Sequence, residues 1–309
     1  MQAILLAAGF GTRLRPYSTL RPKPLFPVLN QPLLHLLLAR LTTSGFTSIT
    51  VNSHHLAEQI EAALASWPQT RLQFEPEILG TGGSLRRALP FLRKQPVLVV
   101  NGDVYHDIPL QALYAHHLQS GNDVTLAMHD LPRFNTVHTM GDRVLAFGTT
   151  PGDNHSNANT NSQCLAFTGL QVVNPELIAH IPAQGFFHII DLYQQLAPSG
   201  RIGLMRVDGC FWQDIGTPAD YLLLHKALLP QQQRWLIEPS AQIGKDVQLR
   251  GWGCIGAGAV VARGAELYDC VVWDGAQVPA GAKYQFRILT GNKDLDREQN
   301  QNKTSKELP

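Results

Sequence analysis

The sequence predicts an α/β protein: a Rossmann-like, mostly parallel sheet with helices on both faces, followed by a short left-handed parallel β-helix. Three observations predict it. Apolar runs of strand length alternate with helical patterns of about 10–15 residues, the sign of an α/β sheet. Glycines and an aspartate fall at the ends of two of those runs, where ligands collect in open sheets of this kind. Beyond residue 236 one apolar residue recurs every six positions, the period of a hexapeptide β-helix.

The elements follow in order. Ala3 to Ala8 is an unbroken apolar run, as expected of a strand buried on both faces. "QPLLHLLLARLTTSG" reads as a helix stopped at Gly45, and Phe46 to Val51 as the next strand. "HLAEQIEAALASW" is a helix, "TRLQFEPE" a strand, "GGSLRRALPFLRK" a helix and "PVLVVNGDV" a strand ending in Asn-Gly-Asp. Gly148 to Gln163 is polar and turn-rich, which predicts a mobile loop. "CLAFTGLQVV" resumes as a strand, and "FFHIIDLYQQLAPSG" is helical. "RIGLMRVDG" and "CFWQDIGTPADYLLLHKALL" close this part. In the six-residue register Ile237, Ile243, Leu249, Ile255, Val261, Leu267 and Trp273 occupy equivalent positions, enough for two to three coils. The expected division is residues 1–229, residues 237–290 and a disordered tail, 291–309, without apolar periodicity.

Composition excludes several classes. The net charge of +1 implies no general field for a polyanion, so a nucleic-acid partner is not expected and any basic site is local. Cys164, Cys210, Cys254 and Cys270 form no C-x-x-C pair and no zinc spacing, which suits a reducing cytoplasm. No stretch reaches the roughly 18 apolar residues of a membrane span. The paired histidines His54/His55 and His116/His117 have no metal-like partners and read as surface residues.

The opening stretch "LAAGFGTRLRPYSTLRPKPL" carries the chemistry. It is not a dinucleotide fingerprint, because Leu14 stands where the third glycine belongs and the second strand ends on Asn52 and His54 rather than an acid. The Gly-Lys-Ser/Thr of a Walker A loop is missing. What remains is a glycine turn beside Arg13, Arg15 and Lys23, a set suited to phosphate. The stretch closely resembles the signature G-x-G-T-R-L-x-P-x-T-x-x-x-P-K-P of the sugar-1-phosphate nucleotidylyltransferases, with Ser18 shifting the hydroxyl position by one. "EILGTGG", "VVNGDV" and "FWQDIGTP" extend the resemblance over about residues 1–229, and hexapeptide repeats after that domain suit a mannose-1-phosphate guanylyltransferase-like member.

The resemblance implies transfer of a nucleotidyl group from a nucleoside triphosphate to a sugar 1-phosphate, releasing pyrophosphate, with Mg2+ as cofactor. It implies nucleotide contacts from Leu6, Ala7, Ala8, Gly9, Gly11 and Thr12, Arg13 on the leaving pyrophosphate and Lys23 on the α-phosphate. It implies Asp103 and Asp214 as the magnesium carboxylates, Asp103 also being catalytic. Gly80, Thr81 and Gly82 would face the base with Glu75, whose carboxylate accepts equally from guanine or uracil. Asn101 and Gly169 would meet the sugar. The Glu-Lys-Pro that grips the sugar phosphate in many relatives is replaced by "AFGTTPGDN", where Asp153 and Asn154 are candidate substitutes. The best substrate pair is GTP with mannose 1-phosphate. The alternatives are UTP with N-acetylmuramate 1-phosphate, or a silent nucleotide-sugar-binding regulatory subunit. An acyltransferase β-helix is not expected, since residues 237–290 contain no histidine. The hexapeptide segment is expected to serve as an assembly surface, giving a homo-oligomer.

Overall fold

A computed structural model describes residues 1–148, 162–232, 234–292 and 296. The chain folds as two compact units, one of residues 1–10 with 37–212, the other of residues 11–36 with those from 213 onward. This division does not follow the expected boundary between residues 229 and 237. Most of the signature segment leaves the first unit and folds with the C-terminal half.

The first unit is built on nine strands: β1 (Gln2–Leu6), β2 (Ser48–Ser53), β3 (Thr70–Phe74), β4 (Val97–Asn101), β5 (Val124–His129), β6 (Val137–Met140), β7 (Arg143–Phe147), β8 (Ser162–Val173) and β9 (Ile202–Arg206). Their order is β3-β2-β1-β4-β8-β5-β9-β7-β6, with β8 also pairing with β6. The expected parallel arrangement holds for β3-β2-β1-β4 and for β5-β9. It gives way at β8, which runs antiparallel to both β4 and β5. Before it, β6 and β7 form an antiparallel hairpin, with Gly141 in the left-handed region (φ 58°) at the turn. A hairpin connection needs no crossover helix.

Helices α1 (Leu33–Thr43), α2 (Ala57–Leu64), α3 (Gly80–Ala88), α4 (Leu110–Ser120), α5 (Pro175–Ile178), α6 (Ile189–Leu196) and α7 (Pro218–Leu228) complete the set. On one face of the sheet Ile4, Val97, Val99, Val124 and Leu126 pack with Leu85 and Ala88 of α3 and Ile189, Leu192 and Tyr193 of α6. The alternate residues Ala3, Leu5, Leu98 and Val100 are buried on the opposite side, as are Leu113 and Tyr114 of α4. His117, expected at the surface, is buried between Thr125 (2.9 Å) and the Asn174 side chain (3.0 Å), and burial lowers its pKa.

In the second unit β10 (Trp235–Ile237), β12 (Gln248–Ile255), β14 (Glu266–Val272) and β16 (Lys283–Leu289) form one parallel sheet. β11 (Gln242–Ile243), β13 (Val260–Val261) and β15 (Gln277–Val278) form a second. Ile237 pairs with Ile255, Ile243 with Val261 and Leu249 with Leu267, each 18 residues on, or three hexapeptides. The next step shortens to 17: Ile255 pairs with Val272, Val261 with Val278 and Leu267 with Tyr284. Trp273 therefore falls out of the expected anchor register. Of the predicted loop Gly148 to Gln163, residues 149–161, with Asp153 and Asn154, lie outside the described residues, and Ser162 and Gln163 already belong to β8, paired with β6. Most of the 291–309 tail also lies outside the described residues. Asp296 in that tail is nonetheless buried and accepts hydrogen bonds from the backbone of Thr290 and Gly291. No helix among the described residues is long and apolar enough to cross a membrane.

Candidate active site

A cluster of charged side chains belongs to the second unit. Gly11 takes the left-handed conformation (φ 61°) that only glycine adopts freely and starts a short turn over Thr12–Leu14. Leu14 is buried, which leaves Arg13 directed outward. A second turn spans Tyr17–Thr19 and a third Lys23–Leu25, entered from extended Pro22. Lys23 is almost wholly buried, with Nζ 3.2 Å from Oδ1 of Asp214; Nη2 of Arg13 stands 3.7 Å from Oδ2. One carboxylate thus lies between two cations, leaving a net positive charge. Gly216 makes the arrangement possible. A Cβ there would collide with Oδ2 of Asp214 and stand 3.0 Å from both terminal nitrogens of Arg13. The structure brings Arg13, Lys23 and Asp214 together, while Asp103 belongs to the first unit.

In the first unit, Leu6 ends β1 and Ala7 and Ala8 follow it, the Ala7 N–H donating to Oδ1 of Asn52 (2.5 Å). A Cβ on Gly9 would meet nothing within 4 Å, so the backbone here is open to a ligand. Asp103 follows Gly102, whose N–H donates to the Leu6 carbonyl at 2.8 Å; a Cβ on Gly102 would stand 2.6 Å from that oxygen. Only glycine lets the ends of β1 and β4 approach so closely. Gly169 lies at an irregularity in β8 with φ 80°, and a Cβ there would fall 2.6 Å from Nδ2 of Asn101. The Asn101 amide lies across it. Among the described residues no three His, Cys, Asp or Glu side chains gather as a metal cluster.

Two expectations are corrected. Glu75 is fully buried rather than open to a base. Its Oε1 accepts from Asn52 (3.0 Å) and Gln73 (3.0 Å), and Asn52 also donates to Ser84 (3.0 Å). Oε2 has no hydrogen-bond partner among the described residues. The carboxylate is thus part of an interior network that braces the end of β1 through Asn52. Gly80, Thr81 and Gly82 form the first turn of α3 rather than an open loop. The N–H groups of Gly82 and Gly83 both donate to the Phe187 carbonyl (2.9 and 3.2 Å), and Thr81 accepts from the Ile189 N–H (3.1 Å). Sequence reasoning assigned no role to Asn52, Gly102 or Gly216. Gly216 stood in plain view within "DIGTP".

Strand ends with an open glycine backbone in the first unit, and a loop of cations held by an aspartate in the second, are features of a phosphate-handling α/β enzyme class. The chain belongs to the nucleotidyl transferase family, whose model matches residues 2–231. It is 29% identical over 302 residues to the mannose-1-phosphate guanylyltransferase of Mycobacterium tuberculosis, covering 91% of this chain and 82% of that one. It is 33% identical over 224 residues to the N-acetylmuramate alpha-1-phosphate uridylyltransferase of Neisseria meningitidis serogroup B, covering 70% and 94%. Among solved structures, HddC from Yersinia pseudotuberculosis shares the fold with a TM-score of 0.60 and 21% identity, over 74% of this chain and 99% of that one.

Proposed function

We propose that this chain transfers a guanylyl group from GTP to mannose 1-phosphate, forming GDP-mannose and releasing pyrophosphate. The observation that carries the choice of substrates is the extent of the match. Similarity to a mannose-1-phosphate guanylyltransferase runs through 91% of the chain, into the C-terminal strands, whereas that to a uridylyltransferase covers 70%.

In this reading a sugar-phosphate oxygen attacks the α-phosphorus in line, and two anionic groups must be brought together. The backbone N–H groups of Gly9 to Thr12 wrap the triphosphate. Arg13, exposed and planar, forks onto the leaving pyrophosphate, and Lys23 sets a point charge at the α-phosphate. Asp214 holds both cations in place before substrate arrives, so little reorganisation is left for the reaction. Asp103 and Asp214 offer only carboxylate oxygens, a donor set that suits Mg2+ completed by phosphate and water. When bound, the ion would neutralise charge on the phosphates. Asn101, braced over Gly169, meets the sugar. We read residues 1–229 as the nucleotidyltransferase region, the two C-terminal parallel sheets as a left-handed β-helix and a surface for homo-oligomers, and the cytoplasm as the compartment.

The test is pyrophosphate release across a panel of nucleoside triphosphates and sugar 1-phosphates. GTP with mannose 1-phosphate should exceed every other pair by at least about a hundredfold, a discrimination that unpaired polar groups supply. Preference for UTP with N-acetylmuramate 1-phosphate would replace the substrates and keep the reaction. Tight nucleotide-sugar binding with no turnover would make the chain a regulatory subunit.

A further inference from the structure

We infer that the C-terminal strands are a positioning device for the cationic loop, acting through a clamp formed by Arg21, Trp273, Asp274 and Tyr221. The inference rests on the reading that Lys23 acts on the nucleotide.

The loop is held on both sides of Lys23, and every contact lies within the second unit. Before Lys23, the Arg21 guanidinium forks onto Asp274, with Nη1 2.7 Å from Oδ1 and Nη2 3.0 Å from Oδ2. Its central carbon lies 4.7 Å from the centre of the Trp273 ring. The same indole packs against Tyr17 (6.2 Å between centroids) and Phe26 (4.9 Å). Its N–H donates to the Tyr221 hydroxyl at 3.2 Å, and that hydroxyl in turn donates to the Pro27 carbonyl. After Lys23, Nε2 of His225 lies 3.3 Å from the Leu29 N–H and 3.1 Å from the Pro27 carbonyl, while its Nδ1 lies 2.9 Å from the Tyr221 carbonyl. Asn30 donates to the Ile255 carbonyl of β12 at 3.1 Å.

Burial lowers the His225 pKa to about 4 and keeps the imidazole neutral. Burial also keeps the Tyr221 phenol protonated as a donor. The shortened coil accounts for Trp273: by leaving the anchor register it becomes available to the loop. Tyr221 sits on α7, capped by Thr217 two residues beyond Ile215, so the helix that holds Pro27 starts next to the strand that ends in Asp214.

A packing role and a positioning role predict different outcomes. The Arg21 and Asp274 side chains are 23% and 51% exposed, and pairs this open add little to stability. Asp274→Asn and Arg21→Gln should therefore shift Tm by less than about 2 °C. They should nevertheless lower kcat about tenfold with KM changed less than about twofold, because a displaced cation weakens the transition state. Amide exchange should rise about tenfold across residues 17–29 while 255–272 stay protected, and Asp274→Glu should restore part of the loss. Unchanged exchange across 17–29 would overturn the clamp. Raised exchange with unchanged kcat would overturn its positioning role. If the wild type releases pyrophosphate from no substrate pair while exchange rises as expected, the clamp stands and the proposed reaction falls.

Discussion

The molecule carries two glycine-rich stretches that look interchangeable on paper, Gly9–Gly11 and Gly80–Gly83, and their surroundings differ. Around Gly9 a Cβ would meet nothing within 4 Å. Around Gly82 it would stand 2.7 Å from Cδ1 of Phe187 and 3.0 Å from its carbonyl oxygen. At Gly9 the missing side chain leaves open space, although at Gly11 a Cβ would stand 3.1 Å from that of Ser18. In the second stretch that space is filled by the protein's own backbone. A glycine run signals close approach without saying what approaches.

Four experiments would break or sharpen that comparison. The largest effect belongs to the first stretch's cationic continuation. Lys23→Gln should cut turnover about 10²–10³-fold, as loss of one preorganised charge does, measured as pyrophosphate release at saturating substrate. Retained turnover would reduce the loop to a structural ion pair with Asp214.

Acid comes next. His225 and His106 are held neutral in the fold, their pKa values lowered by burial to about 4 and about 3, with Arg40 adding to the shift of His106. The unfolded chain binds protons that the native state refuses, so stability falls as pH drops below 6.5. The loss continues to about pH 4 for His225 and about pH 3 for His106. At pH 5.5 the pair should cost about 3 kcal/mol relative to pH 7.5, read from urea midpoints. Gly9→Ala and Gly82→Ala proteins should lose the same amount.

Gly82→Ala should cost about 1–3 kcal/mol of stability, since the Phe187 backbone must give way; a midpoint equal to wild type would mean the contact is slack. The smallest change in stability is expected for Gly9→Ala, under about 0.5 kcal/mol. Its turnover should still fall about tenfold if phosphate occupies the open space. The two alanine variants should therefore separate cleanly, one losing fold and the other losing rate.

Many strands and helices of the first unit were legible because their apolar runs are strong, but α4, β5 and the β6–β7 pair, between residues 110 and 147, were not anticipated. The limits were set by side chains that act at a distance. β1 begins at Gln2, a polar residue excluded from the apolar run yet buried, its amide donating to the carbonyls of Arg93 and Gln95. Such a partnership is invisible until the two segments are adjacent. Glu75 looked like a base reader because its role is fixed by Asn52, 23 positions earlier. "LGTGG" looked open because Phe187, which fills it, lies over a hundred residues away. Arg13 and Lys23 drew attention by their charge beside a glycine turn, whereas Asp214 was singled out only through the family resemblance of "FWQDIGTP". The structure places the three side chains together. The six-residue period identified six anchors that pair in register, but a single shortened step removed Trp273 from the stack. Periodicity gives no warning of one missing residue.

The bidentate contact between Arg21 and Asp274 spans 253 positions. On a ribosome adding about 5–20 residues per second, the amino-terminal partner is made roughly 10–50 seconds before the carboxyl-terminal one. Throughout that interval the segment around Lys23 has emerged without the surface it rests on. The segment around Lys23 thus reaches its final packing only after the C-terminal strands have been made.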